Sequence, residues 1–138
     1  MRIAVVDGQG GGMGKVLVER IRATLGSQVE IIALGTNALA TAAMLKAGAD
    51  EGASGENAIT VNASRVDYIL GSVGIISANS MLGEMTPKMA VAIAESPARK
   101  ILIPFNRCGL IIAGARDEPP VKYIEEAAEL LKTMIAAK

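Results

Sequence analysis

One stretch near the start limits what this chain can fold into. Arg2-Ile-Ala-Val-Val-Asp7 runs directly into Gly8-Gln9-Gly10-Gly11-Gly12-Met13-Gly14-Lys15. The apolar run from Ile3 to Val6 reads as a buried strand. Five glycines follow within seven positions, and an amphipathic run begins after them. Strand, glycine-rich turn and helix in succession make an arrangement that holds a phosphate. The turn places backbone N–H groups at a helix N-terminus, where the partial positive charge favours an anion. Asp7, Gly8, Gly10, Gly11, Gly12, Met13, Gly14 and Lys15 are therefore candidate ligand-binding residues. Glycine is also the default where a strand turns sharply into a helix, so a purely structural turn fits the same residues.

The glycine spacing narrows the choice. The dinucleotide pattern G-x-G-x-x-G requires glycine where Met13 stands. The variant G-x-x-x-G-x-G fits Gly8, Gly12 and Gly14, and resembles the cofactor loop of short-chain dehydrogenases. Those enzymes also use a tyrosine four residues before a lysine. Here Tyr68 is followed at that distance by Ser72 and Tyr123 by Ala127, so that enzyme class is rejected. A phosphate loop requires glycine at Gln9 and a hydroxyl at Val16. Gly11 to Lys15 looks like the deviant loop of the ParA and MinD ATPases, but Val16 leaves Mg²⁺ without its ligand.

Composition removes several other classes. The chain has 138 residues, which fits one domain with a real core. Its 14 basic and 14 acidic residues cancel and form no basic block, so neither nucleic acid nor a membrane surface is an expected partner. Cys108 is the only cysteine, which rules out an intrachain disulfide and suits a reducing cytoplasm. Met1-Arg2 leads straight into the first strand, so no signal peptide is expected. Histidine is absent, removing the usual metal ligand and general base; no metal site is expected.

Along the chain, strands and helices alternate. Met13, Leu17, Ile21 and Leu25 form an apolar helical stripe closed by Gly26. Val29 to Leu34 reads as a strand buried on both faces. Thr36 or Asn37 can cap a helix from Ala38 to Ala47, which is free of charge as far as Leu45. Asp50 to Gly55 reads as a polar turn, and Glu56 to Asn62 fits either helix or strand. Asp67 to Leu70 is the third expected strand. A helix is expected from Ile75 to Leu82, and another after Thr86-Pro87. Lys100 to Phe105 is the fourth expected strand. The tight link Asn106-Arg107-Cys108-Gly109 then predicts an antiparallel fifth strand, Leu110 to Ala113. A final helix begins near Pro119-Pro120. The expected fold is a Rossmann-like three-layer α/β sandwich, with a mostly parallel sheet of about five strands and an antiparallel last strand.

In such sheets ligands bind beyond the carboxyl ends of the strands. Thr36 and Asn37, Ser72 and Gly74, and Asn106 and Arg107 fall there and join the candidate site. Lys15 is placed to pair with a phosphate, and Arg107 to clamp a phosphate or carboxylate. Asp7 is expected to cap the glycine turn. Glu56, Asn57, Asn79, Ser80 and Glu84 are polar groups beside apolar runs and need hydrogen-bond partners where buried.

Taken together, Asp7 to Gly14, Ala33 to Ala38, Gly55 to Ala58, Ala78 to Glu84 and Ile103 to Cys108 resemble a family of small bacterial proteins of unknown function. That resemblance spans nearly the whole chain and implies no particular activity. The expected role is a sensor or accessory subunit binding a phosphate-bearing small molecule, with NAD(P) or another nucleotide as the candidate cofactor. An Asp or Glu for the ribose is missing after the second strand, which ends in Leu34-Gly35-Thr36-Asn37. The alternatives are an enzyme using Lys15, Glu56 or Glu84, and Arg107, or an interaction protein with structural glycines only. A homo-oligomer, most simply a dimer, is expected because 51% of residues are hydrophobic and only 20% charged. One or both of the charge-poor helices expected at Ala38 to Ala47 and Ile75 to Leu82 form its interface.

Overall fold

The structure, a computed structural model, describes residues 1–104 and 109–138. Among the described residues, five strands form one sheet: β1 (Arg2–Asp7), β2 (Glu30–Gly35), β3 (Glu51–Ser54), β4 (Tyr68–Ser72) and β5 (Arg99–Ile103). Their order is β3-β2-β1-β4-β5. Every pairing is parallel, with registers such as Val5↔Ala33 and Val5↔Leu70 placing the aliphatic centres of β1, β2 and β4 side by side. The helices are α1 (Gly12–Leu25), α2 (Ala38–Ala47), α3 (Glu56–Asn62), α4 (Pro87–Glu95) and α5 (Pro120–Ala136).

The period-two alternation of β1 divides the core. Ile3 and Val5 face one side, where they pack with Leu17, Val18 and Ile21 of α1, Met44 of α2, and Ile124, Ala127 and Leu131 of α5. Ala4 and Val6 face the other, with Ile59 of α3 and Met89, Ala90 and Ile93 of α4. A parallel sheet covered on both faces explains why these strands read as continuous aliphatic runs. Arg22 ties the base of this packing together. Its guanidinium donates to the Gly48 carbonyl at 2.8 Å, closing α2, and to the Asp50 carboxylate at 2.8 Å. The Ile31 N–H, first, and Arg22, second, hold the Asp50 carboxyl below its ordinary pKa.

Local signals set the helix starts. Asn37 caps α2 by accepting the Ala40 N–H at 2.8 Å. Thr86 caps α4 by accepting the Met89 N–H at 3.2 Å, with Pro87 in the first turn.

Three expectations are corrected. Among the described residues the sheet has no antiparallel last strand. Leu110 to Ala113 forms no strand; Gly109 and Gly114, at φ 69° and 88°, turn the chain away, and Ile111 is 88% exposed. The fifth strand is instead β3, inside the segment Asp50 to Gly55 expected as a turn. It is an edge strand held by backbone pairing with β2, so it needs no apolar run. Third, Ile75 to Leu82 is not a helix. A 3-10 turn at Val73–Ile76 gives way to a loop in which Asn79, Met81 and Leu82 adopt φ of 65°, 58° and 57°. Three left-handed residues within four positions cannot continue a right-handed helix. The undecided segment Glu56 to Asn62 is the helix α3.

Candidate functional site

The glycine turn is built by Asp7, the last residue of β1. Its Oδ1 accepts the Gly8 N–H at 2.8 Å and its Oδ2 accepts the Gly14 N–H at 2.6 Å. One carboxylate therefore ties the strand end to the first turn of α1. Burial pushes the Asp7 pKa up; the bonds from Gly14 and Gly8 pull against this, and the charge of Glu84 adds to it. Within the loop, the Gly11 N–H donates to the Gly8 carbonyl at 2.9 Å.

The five glycines divide by what a side chain would meet. At Gly8 a Cβ would lie 2.5 Å from Thr36 Oγ1 and 2.7 Å from Met81 Sδ. At Gly11, where φ is 75°, it would lie 2.8 Å from the Ala40 Cα; at Gly14 it would lie 2.6 Å from Met44 Sδ. These three are required by close packing of α1, α2 and the 77–85 loop. At Gly10 and Gly12 a Cβ would meet nothing within 4 Å. Among the described residues, the N–H groups of Gly10, Gly12 and Met13 have no acceptor.

A cavity of about 750 Å³ opens in front of these groups. Its floor is residues 7–13, with Val16 beside them. One wall is Ser72, Gly74, Ser80, Met81 and Leu82 from the end of β4 and the loop beyond. The other is Pro120, Val121 and Ile124 at the start of α5. The Ser80 hydroxyl donates to the Gly74 carbonyl at 2.5 Å, and the Gly74 N–H donates to Ser72 Oγ at 3.2 Å. The serines thus shape the wall through its own backbone.

Glu84 closes the opposite side. Its Oε1 accepts the Gln9 N–H at 2.8 Å, the Thr36 hydroxyl at 2.7 Å and the Asn37 amide at 2.8 Å. Thr36, then Gln9, then Asn37 outweigh desolvation and hold the Glu84 pKa below its ordinary value. Asn37 also donates to the Gln9 carbonyl at 3.0 Å. The second strand end is thereby joined to the glycine turn through a residue from a distant loop.

Of the sequence candidates, Asp7, Gly8, Gly10, Gly11, Gly12, Met13, Ser72 and Gly74 line the cavity. Gly14 lies beneath it, spent on Asp7. Lys15 is exposed and lies outside the lining, because its position on α1 turns it away from the turn. Thr36 and Asn37 lie outside it too, bonded to Glu84. Glu56 accepts the Thr86 hydroxyl at 2.6 Å, joining α3 to the cap of α4. Asn106, Arg107 and Cys108 fall outside the described residues. Sequence reasoning missed Gln9, Val16, Ser80, Met81, Leu82, Pro120, Val121 and Ile124 as lining residues. Only the apolar stripe of the last helix hinted at the final two. Among the described residues, no three of His, Cys, Asp and Glu gather to hold a metal ion, and no helix is long and apolar enough to cross a membrane.

No curated protein matches the chain. Among solved structures, it is similar to a dodecameric FMN-dependent Ubix-like decarboxylase from Escherichia coli O157:H7, at 13% identity and a TM-score of 0.47, over 97% of this chain and 76% of that one. The family described as a domain of unknown function, DUF3842, matches residues 2–136, and the chain belongs to that family.

Proposed function

We propose that the protein binds a small phosphate-bearing ligand of nucleotide class at the glycine turn, as a sensor or accessory subunit. The observation that carries this reading is the pair Gly10 and Gly12. Packing within the chain explains the absence of a side chain at Gly8, Gly11 and Gly14, but not at these two. Both line the cavity, and their N–H groups, with that of Met13, lack acceptors among the described residues. A phosphate supplies those acceptors at the positive end of α1.

The test is thermal stability with inorganic phosphate and with nucleotides, in wild type and Gly12→Val. A ligand at a hundred times its Kd raises stability by about 2.7 kcal/mol. A Cβ at position 12 meets nothing within 4 Å, so the unliganded variant is expected to stay folded while the valine fills the space where the ligand approaches and the ligand-dependent shift is lost. Equal shifts in both proteins overturn the reading.

The same proposal includes homo-oligomerisation through α2. Leu39 and Leu45 on that helix are 67% and 39% exposed, beside exposed Ala38 and Ala42. A neighbouring copy would cover this small-residue apolar surface.

A further inference from the structure

We infer that the cavity takes a mononucleotide rather than a dinucleotide, with one uncharged ring held between the 77–85 loop and the first turn of α5. This rests on the reading that a phosphate sits at the glycine turn. A dinucleotide in a doubly wound sheet straddles the point where strand order reverses and places one half beyond the strand that follows the first helix. Here that point lies between β1 and β4, and the strand in question is β2. The β2 side is filled. Glu84 occupies the Thr36 hydroxyl and the Asn37 amide. Thr36 and Met81 close over Gly8, and α2 lies against Gly11 through the backbone of Ala40. No residue of β2 or α2 lines the cavity.

Among the described residues the β4 side is open and mainly apolar, with Ser72 and Ser80 bonded to the Gly74 backbone. Met81, Leu82, Val121 and Ile124 face it, and Asp7 is the only ionisable residue among its described lining. Both Asp7 oxygens are already bonded to N–H groups, so no described lining residue offers a free charge to a charged ring. Leu82 is 97% exposed at the cavity and left-handed, held there by neighbouring bonds such as Glu84 N–H to the Met81 carbonyl at 3.1 Å. Non-glycine residues in left-handed conformations cluster at ligand clamps, and both Met81 and Leu82 combine that conformation with a place in the cavity lining. A volume of about 750 Å³ suits one small molecule of this size.

The experiment is calorimetric titration of the whole chain with inorganic phosphate, adenosine, guanosine and flavin mononucleotides, NAD and flavin adenine dinucleotide. The double variant L82N/V121S is titrated alongside. Both positions are exposed, and asparagine tolerates the left-handed backbone at 82, so the variant folds. The expected result is one mononucleotide binding at least about tenfold tighter than phosphate and than its dinucleotide counterpart. In the double variant its affinity falls to that of phosphate. Dinucleotides binding as tightly as mononucleotides overturn the inference, as does an unchanged double variant. Phosphate binding with no mononucleotide advantage overturns it while leaving the phosphate reading intact. No binding by phosphate or any nucleotide removes the phosphate reading and this inference with it.

Discussion

The Oδ2 atom of Asp7 accepts the Gly14 N–H at 2.6 Å across seven residues, so one carboxylate fixes both ends of the glycine turn. Its other oxygen serves Gly8. Asp7→Asn keeps the shape but turns an amide NH₂ toward one of these donors. The expected cost is about 1–3 kcal/mol, that of leaving a buried N–H unsatisfied. Urea denaturation measures it, and a variant as stable as wild type would show that the turn holds itself.

Gly11 and Gly12 are neighbours with opposite predictions. Gly11→Ala puts a methyl 2.8 Å from the Ala40 Cα at a φ of 75°, and is expected to lose more than about 1 kcal/mol. Gly12 is the first residue of α1 and has open space before it. Gly12→Ala is expected to gain up to about 1 kcal/mol through reduced backbone entropy of the unfolded chain. Equal changes in melting temperature for the two variants would contradict this division.

Acid sensitivity follows from Glu84. Its folded pKa lies below the ordinary 4.5 because Thr36, Gln9 and Asn37 bond the charged form. The unfolded chain takes up this proton first as pH falls. Glu84 therefore contributes its full stability above its ordinary pKa and loses it as pH drops through the folded value. Asp50, also lowered, acts in the same direction from 3.8. Asp7, raised by burial, acts in the opposite one: its protonation favours the folded state. Glu84→Gln should be less stable at neutral pH and should lose less on acidification. Parallel stability–pH curves for variant and wild type would rule out this role.

The α2 surface predicts assembly. Leu39→Lys places a charge on a residue that is 67% exposed within one chain, so a monomer tolerates it and an interface does not. Light scattering should give a multimer for wild type and a smaller species for the variant. A monomeric wild type would defeat the idea.

How far the sequence led depends on what holds each element in place. β1, β2 and β4 were readable because both sheet faces are covered, which forces aliphatic residues into those strands; β5, at the sheet edge, was readable from its run Ile101-Leu-Ile103. β3, Glu51-Gly-Ala-Ser54, was not, because its position comes from pairing at the sheet edge. The run Leu110 to Ala113 misled for the converse reason: it is apolar but finds no strand to pair with. The absence of charge between Ile75 and Leu82 suggested a helix, whereas bonds such as Asn79 N–H to the Met85 carbonyl at 2.7 Å hold a left-handed loop. In the site, the glycine turn and the role of Asp7 were local and therefore visible. Glu84 reaches Thr36 across 48 positions and Gln9 across 75, and no local pattern encodes a partner that distant.

An all-parallel sheet contains no hairpin, and this bears on how the cavity comes into being. β1, α1 and β2 are consecutive, so their loop closes at modest entropic cost, whereas pairing Ile3 with Tyr68 must close a much longer one. The cavity needs residues from the first strand end, from the segment after β4, and from α5 near the end of the chain. No early fragment can assemble it. Occupancy is therefore a signature of the completed chain, and a molecule that fits the cavity draws the whole folding equilibrium toward the native state rather than steadying one corner of it.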